Sequence, residues 1–399
     1  MAWLGLKTMA FTDYELEAEP AFQALRHLHV GRFIDLLPAY GGSLVVRGPF
    51  ALLPGLWGGG DLTLFRSVAA PCVAAGALLG VVLYSRGLAL GRSPGARWLA
   101  LVLCAVNPLT LRALEIGHPE ELLGGALCVL AALAAASRRP LVAGLLLGLA
   151  VVNKPWALLA VVPIVALAPA GRGRLLAVAG AVVAAVLMPV WLAGSGAVAA
   201  TGQAAHSTGQ IFQPWQVWWF LGEHGHVIRG TFTVKPDYRA PPGLVDLVAR
   251  PLVVLVPLAL SLWVAPRLRA RPWHDGLLLL AVVLLLRCLL DPWNVSYYEL
   301  PFLLALVAWE LHARPGAPIL SLVVTLAFWV TMVQLPAQGL SPDLQAAAYL
   351  AVALPLALGL GLRLVAPARW HRLRAVSWVA SAWRVHGPFP VARFRAPTP

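Results

Sequence analysis

Residues 115–156 read EIGHPEELLGGALCVLAALAAASRRPLVAGLLLGLAVVNKPW. Two apolar runs face each other across an Arg138-Arg139 turn, and their far ends carry Glu115, His118, Glu120, Glu121 and Lys154. A helix that crosses a bilayer needs roughly 20 predominantly apolar residues, and arginine-rich turns mark the cytoplasmic side. This stretch therefore reads as a membrane hairpin, with its basic tip inside and its acids outside. The second run, 140–153, is short for a span. With 155–170 it reads as a tilted or partly buried pair hinged at Asn153-Lys154-Pro155.

The same pattern extends over nearly the whole chain. Of 399 residues, 60% are hydrophobic and 12% charged, against about 25% charged in soluble domains. Eleven spans are expected, at 65–86, 97–113, 120–137, 140–153, 155–170, 175–193, 249–265, 275–290, 297–312, 318–335 and 344–363. Backbone in lipid must satisfy its own hydrogen bonds, so these are helices. The period-two alternation of a membrane barrel is absent. The fold class is an all-α polytopic membrane protein. Residues 1–64 form a non-cytoplasmic first loop, with a helix from Tyr14 to His29 and a re-entrant or interfacial segment at Leu44–Trp57. Residues 65–363 form the transmembrane domain, including an outer loop at 194–248. Residues 364–399 form a basic cytoplasmic tail, either an amphipathic surface helix or a disordered segment. A long acidic outer segment with no span before it has no evident route across the membrane; one hypothesis is a first helix encoded upstream of Met1, which would make the count twelve.

Alternate gaps collect the arginines, and the net charge is +13. Basic turns and a basic tail meeting anionic lipid account for that excess; no module for nucleic acid is present. Cys72, Cys104, Cys128 and Cys288 lie in apolar runs without metal-ligand spacing and read as packing residues. His206, His224 and His226 lack the spacing of a metal site. Neither a metal nor another cofactor is expected. Of the 17 acids, all but Asp275 and Glu310 fall on the non-cytoplasmic side.

Five polar clusters punctuate the outer side. Asp13 stands at the start of the first helix, amid Glu15, Glu17 and Glu19; a solvated acidic face is the plain alternative for the glutamates. Asn107-Pro108 to Arg112 leads into Glu115-Ile116-Gly117-His118-Pro119-Glu120-Glu121. His118 suits proton transfer or phosphate contact. The same turn is equally an ordinary helix start, and Glu121 reads as a cap. Lys154 is an ionisable group at membrane depth, a binding candidate by its energetic cost, or a snorkelling side chain. Gln213 to Phe220 (QPWQVWWF) holds Trp215 and Trp218, suited to sugar faces or to an interfacial belt. Arg287, Asp291-Pro292-Trp293-Asn294 and Tyr297-Tyr298 close the set. An i, i+4 pair between Arg287 and Asp291 is expected, unless Arg287 faces a phosphate.

In this order the clusters resemble those of the GT-C superfamily of integral-membrane glycosyltransferases. More narrowly they are similar to glycosyltransferase family 87, the polyprenyl-phosphate-mannose-dependent mannosyltransferases of actinobacteria. The resemblance covers roughly residues 11–335 and rests on Asp13, the GHPEE turn, NKPW, QPWQVWWF and DPWNVSYY. It implies transfer of a sugar, mannose, from a polyprenyl-phosphate donor to a lipid or glycan acceptor, on the outer face of the cytoplasmic membrane. It makes Asp13 the general base, with His118 as a second catalytic candidate. Arg112, Lys154 or Arg287 would stabilise the leaving phosphate. Trp215, Trp218 and Tyr298 would stack on sugar rings, and Glu120, Asp291 and Asn294 would bind substrate. The alternative is a transporter or lipid flippase, which would place ionisable groups at span centres.

Overall fold

A computed structural model describes residues 12–38, 41–54, 59–193, 212–224 and 238–366, apart from the side chains of Thr12, Asp13, Ala193 and Asp246. The tail from 367 onward, with its two readings, lies outside the described residues, as do His206 and His226.

The first segment folds into four short helices: α1 (Thr12–Glu17), α2 (Glu19–Arg26), α3 (Val30–Asp35) and α4 (Gly42–Ala51). The expected single helix from Tyr14 to His29 is broken at Ala18. Pro20 enters the first turn of α2, and Tyr14 and Phe22 still reach the same core, their rings 6.4 Å apart. Then come α5 (Asp61–Ala89), α6 (Pro94–Ala105), α7 (Pro108–Ile116), α8 (Glu120–Ala136) and α9 (Pro140–Asn153). A 3-10 turn at Pro155–Ala160 leads into α10 (Val161–Leu167), followed by α11 (Arg172–Ala193). The outer loop contributes a two-residue antiparallel ribbon, β1 (Glu223–His224) with β2 (Arg239–Ala240). Helix α12 (Gly243–Val264) begins six residues before the expected span start at 249. Last come α13 (Asp275–Leu290), α14 (Leu300–Ala313), α15 (Ile319–Trp329), extended by a π turn at Val330–Gln334, and α16 (Pro342–Val365).

All eleven apolar runs are helical, yet among the described residues six helices are long and apolar enough to cross a bilayer: Asp61–Ala89, Pro94–Ile116, Arg172–Leu192, Gly243–Ala270, Ile319–Ala337 and Pro342–Val365. The shortfall has a physical reason. Helices α8, α13 and α14 hold 17, 16 and 14 residues, short of the ~30 Å hydrocarbon core at 1.5 Å per residue. They are apolar on every face because protein surrounds them: from Leu122 to Ala135 every side chain of α8 is buried. All-round apolarity marks a central helix as readily as a lipid-facing one.

The central helices form one core, and the first segment packs a second core onto one end of it. Tyr14, Phe22, Phe33 and Leu37 meet Phe65, Leu114 and Val190 there. Gly42 lets α4 lie against α9, since a Cβ at that position would stand 2.4 Å from the Val152 carbonyl. All four cysteines are buried and free.

Candidate active site

The site begins with a turn. Asn107 caps α7, its Oδ1 accepting the Thr110 N–H at 2.9 Å while its Nδ2 donates to the Leu103 carbonyl at 2.8 Å. Helix α7 ends at Gly117, whose φ of +98° turns the chain back. A Cβ on Gly117 would lie 2.5 Å from the Cβ of Tyr14. Only glycine tolerates both the left-handed backbone and that approach. The first segment therefore closes directly over the His118-Pro119-Glu120-Glu121 turn. Tyr14 packs edge-on against Phe65 at 4.8 Å, and burial raises its phenol pKa.

Glu120 and Glu121 open α8, but neither is a solvated cap: they are 5% and 1% exposed. Glu120 Oε1 lies 2.8 Å from His118 Nδ1 and 3.1 Å from Lys154 Nζ, and Oε2 lies 3.4 Å from Arg47. Glu121 sits 3.9 Å from Lys154 and 3.7 Å from Arg287. Three cations thus share two carboxylates. Carboxylates in the first turn also meet the positive end of α8. Asn153 Nδ2 donates to the Glu120 carbonyl at 2.8 Å, fixing the end of α9 beside the start of α8. Burial pushes the Lys154 ammonium toward neutrality, but Glu120 and Glu121 outweigh it and raise its pKa. His118 stacks on Tyr297 at 4.3 Å, and Arg287 lies over the rings of Tyr298 at 4.2 Å and Trp156 at 5.0 Å. The GHPEE, NKPW and SYY motifs, remote in sequence, converge here.

A pocket of about 250 Å³ opens between this cluster and the first segment; Glu17, Ser43, Arg47, His118, Glu120 and Lys154 are among its walls. Ser43 Oγ, Arg47 Nη1 and Asn153 Oδ1 are buried without a hydrogen-bond partner among the described residues, and all three residues line the pocket. Buried polar groups are normally paired, so the pocket is built to receive a polar ligand. Its donors, Arg47, Lys154 and the Ser43 hydroxyl, suit an oxyanion or a polyhydroxyl group.

Several expected residues lie elsewhere. Asp13 belongs to α1, one turn before Glu17, but its side chain is outside the described residues. Arg112 pairs with Glu115 at 3.1 Å, with its side chain 41% exposed, and does not line the pocket. The expected Arg287–Asp291 pair is replaced by Arg287–Glu121, because α8 and α13 both pack against α14, which brings the start of one near the end of the other. Asp291 instead accepts the Trp293 N–H at 2.9 Å and, with Arg250 and Tyr298, lines a separate cavity of about 300 Å³. Burial raises its carboxyl pKa, opposed by Arg287.

Trp215, Trp218 and Asn294 form a strap. The Asn294 amide donates to the Trp215 carbonyl at 2.7 Å, and Trp218 Nε1 donates to the Leu290 carbonyl at 2.8 Å. The Trp215 ring is buried in the main core. The sequence alone places Glu17 on an acidic face and Asn153 at a hinge without giving either a part in the site, and it gives none to Ser43 or Arg47 and no pairing role to Glu121. Arg47 had a signal of its own: a lone charge inside an apolar stretch demands a partner.

Comparison with known proteins adds a family. No curated protein and no solved structure matches the chain. The model of glycosyltransferase family 87 matches residues 42–292, which take in α4, the GHPEE turn, Lys154 and Asp291. That match spans more than half of the chain, and with the membrane-length helices it makes this an integral-membrane protein that belongs to glycosyltransferase family 87, a polytopic family of the GT-C type.

Proposed function

We propose that this glycosyltransferase moves a sugar, mannose, from a polyprenyl-phosphate donor to a lipid or glycan acceptor on the outer face of the cytoplasmic membrane. The observation that carries the reading is the pocket where the first segment meets His118, Glu120 and Lys154. A lipid-linked donor leaves its polyprenyl tail among the helices and presents its phosphate at the helix ends. The acceptor hydroxyl attacks the anomeric carbon, the bond from that carbon to the phosphate oxygen breaks, and polyprenyl phosphate leaves with the electron pair. Asp13 takes the hydroxyl proton. Lys154 and Arg287, held by Glu120 and Glu121, neutralise the departing phosphate, so no metal is required. Base assistance contributes typically 10²- to 10⁴-fold, and placed charge contributes comparably. A transporter or flippase reading lacks support here, since the ionisable cluster sits at helix ends rather than midway along the spans.

The test is transfer of labelled mannose from polyprenyl-phosphate mannose to an envelope-lipid extract by protein reconstituted in vesicles. Asp13→Asn should lower turnover by about 10²-fold or more with folding intact. Full activity in that variant would remove Asp13 as the base. Transfer from a nucleotide sugar but from no polyprenyl-phosphate sugar would overturn the donor class.

A further inference from the structure

Another cavity lies at the opposite end of the bundle from the pocket. From Lys154, at the pocket, the chain runs through the 3-10 turn and α10 to Leu167, a rise of roughly 20 Å. There, between the end of α10, the start of α11 and the 3-10 turn Ala265–Ala270, opens a cavity of about 560 Å³. Three guanidinium groups line it, those of Arg172, Arg269 and Arg271, and among the described residues its walls contain no acidic side chain. The nearest acid along the chain, Asp275, lies 4.0 Å from His274 Nε2.

Two of the arginines are anchored. Arg172 Nε donates to the Ala168 carbonyl at 3.0 Å, and Arg271 donates to the Leu364 carbonyl. Each bond takes one of five guanidinium N–H donors. Arg269 makes no hydrogen bond or ion pair among the described residues. The rest of the wall is apolar, with Leu167, Pro169, Leu268 and the Trp273 ring. Immediately beyond it, Leu176 on α11 and Leu262 and Trp263 on α12 are exposed. Both helices belong to the spans with the most outward apolar surface, and that surface meets acyl chains in a bilayer.

We infer that this cavity binds the phosphate headgroup of an anionic membrane phospholipid, whose acyl chains lie on the outer faces of α11 and α12. Three unopposed guanidinium groups match a phosphate bidentately. Basic pockets between membrane helices recognise such headgroups, and the Trp273 ring suits the interface. Apolar surface running from the cavity onto lipid-facing helices distinguishes a lipid from a free phosphate. The site is independent of the transfer reaction.

The experiment uses the full chain in detergent. It measures bound lipid by native mass spectrometry and the unfolding temperature with added phosphatidylglycerol, phosphatidylcholine or inorganic phosphate. One phosphatidylglycerol should remain bound and raise the unfolding temperature, and phosphatidylcholine should not. Arg269→Gln, which breaks no bond among the described residues, should weaken phosphatidylglycerol roughly tenfold or more, and Arg172→Gln with Arg269→Gln further. Arg174→Gln removes an exposed arginine two residues along α11 that does not line the cavity, and should change nothing. Equal stabilisation by phosphatidylcholine, equal loss in Arg174→Gln, or unchanged affinity in Arg269→Gln would each overturn the site. Displacement of the lipid by millimolar inorganic phosphate would overturn the lipid assignment in favour of a free-phosphate site.

Discussion

Replacing Glu121 by Gln tests the charge cluster with almost no change of shape. The side chain is 1% exposed, and its partner Arg287 is 5% exposed at 3.7 Å. At an effective dielectric of 20, opposite charges at that distance attract by about 4 kcal/mol. Removing one member of a buried pair costs about 3–5 kcal/mol, because the survivor stays desolvated and unopposed. Arg287 keeps part of its compensation from the rings of Trp156 and Tyr298. Lys154 retains Glu120 at 3.1 Å. The expected loss for Glu121→Gln is therefore about 3 kcal/mol, a fall of roughly 3–4 °C in unfolding temperature for a chain of this size. Arg287→Met alone should cost a similar amount. The double variant should recover to within about 1 kcal/mol of the wild type, since it buries neither charge. Tryptophan fluorescence during thermal unfolding in detergent gives all four corners of the cycle. Losses that simply add in the double variant would refute the pairing. Stability regained without transfer activity would separate Arg287's part in holding the fold from its proposed part at the phosphate.

Two further outcomes follow from the geometry. Gly117→Ala puts a Cβ 2.5 Å from that of Tyr14 on a backbone with φ of +98°, so it should cost about 2–4 kcal/mol. It should also lift α1 from the pocket, read as faster proteolysis within residues 12–38; an unfolding temperature equal to wild type would show that the first segment does not close there. Asp291 has its carboxyl pKa raised by burial, so the folded state holds its proton to higher pH than the unfolded chain. Stability contributed by that proton is full in acid and falls as pH rises from the ordinary aspartate range through the folded pKa. Asp291→Asn keeps the Trp293 N–H acceptor without the charge. It should match wild type in acid and exceed it modestly near neutrality; a variant less stable at neutral pH than in acid, relative to wild type, would reverse the sign.

What could be read from the sequence alone follows from local physics. Apolar runs between arginine turns fix helices, because backbone in lipid has no other partner, and each of the eleven runs is helical. Gly117, Pro119 and Asn107 mark the turn that carries the site for equally local reasons of φ and capping. The order of the polar clusters was enough to indicate family 87, which the family match over 42–292 supports. Which helices reach lipid was not legible. An apolar side chain reads the same whether it faces acyl chains or another helix, and only packing shows α8, α13 and α14 to be enclosed.

Charge pairing was decided by the tertiary structure for the same reason. Glu121 looked like a helix cap and Arg287 like the partner of Asp291, since i, i+4 neighbours are all that a sequence displays. The packed bundle joins Glu121 to Arg287 across 166 positions, and brings Arg47 within 3.4 Å of Glu120. Local chemistry alone determined that this chain forms membrane helices with polar ends. The meeting of those ends in one pocket depended on long-range packing, which places charges too costly to bury singly beside partners that no local pattern names.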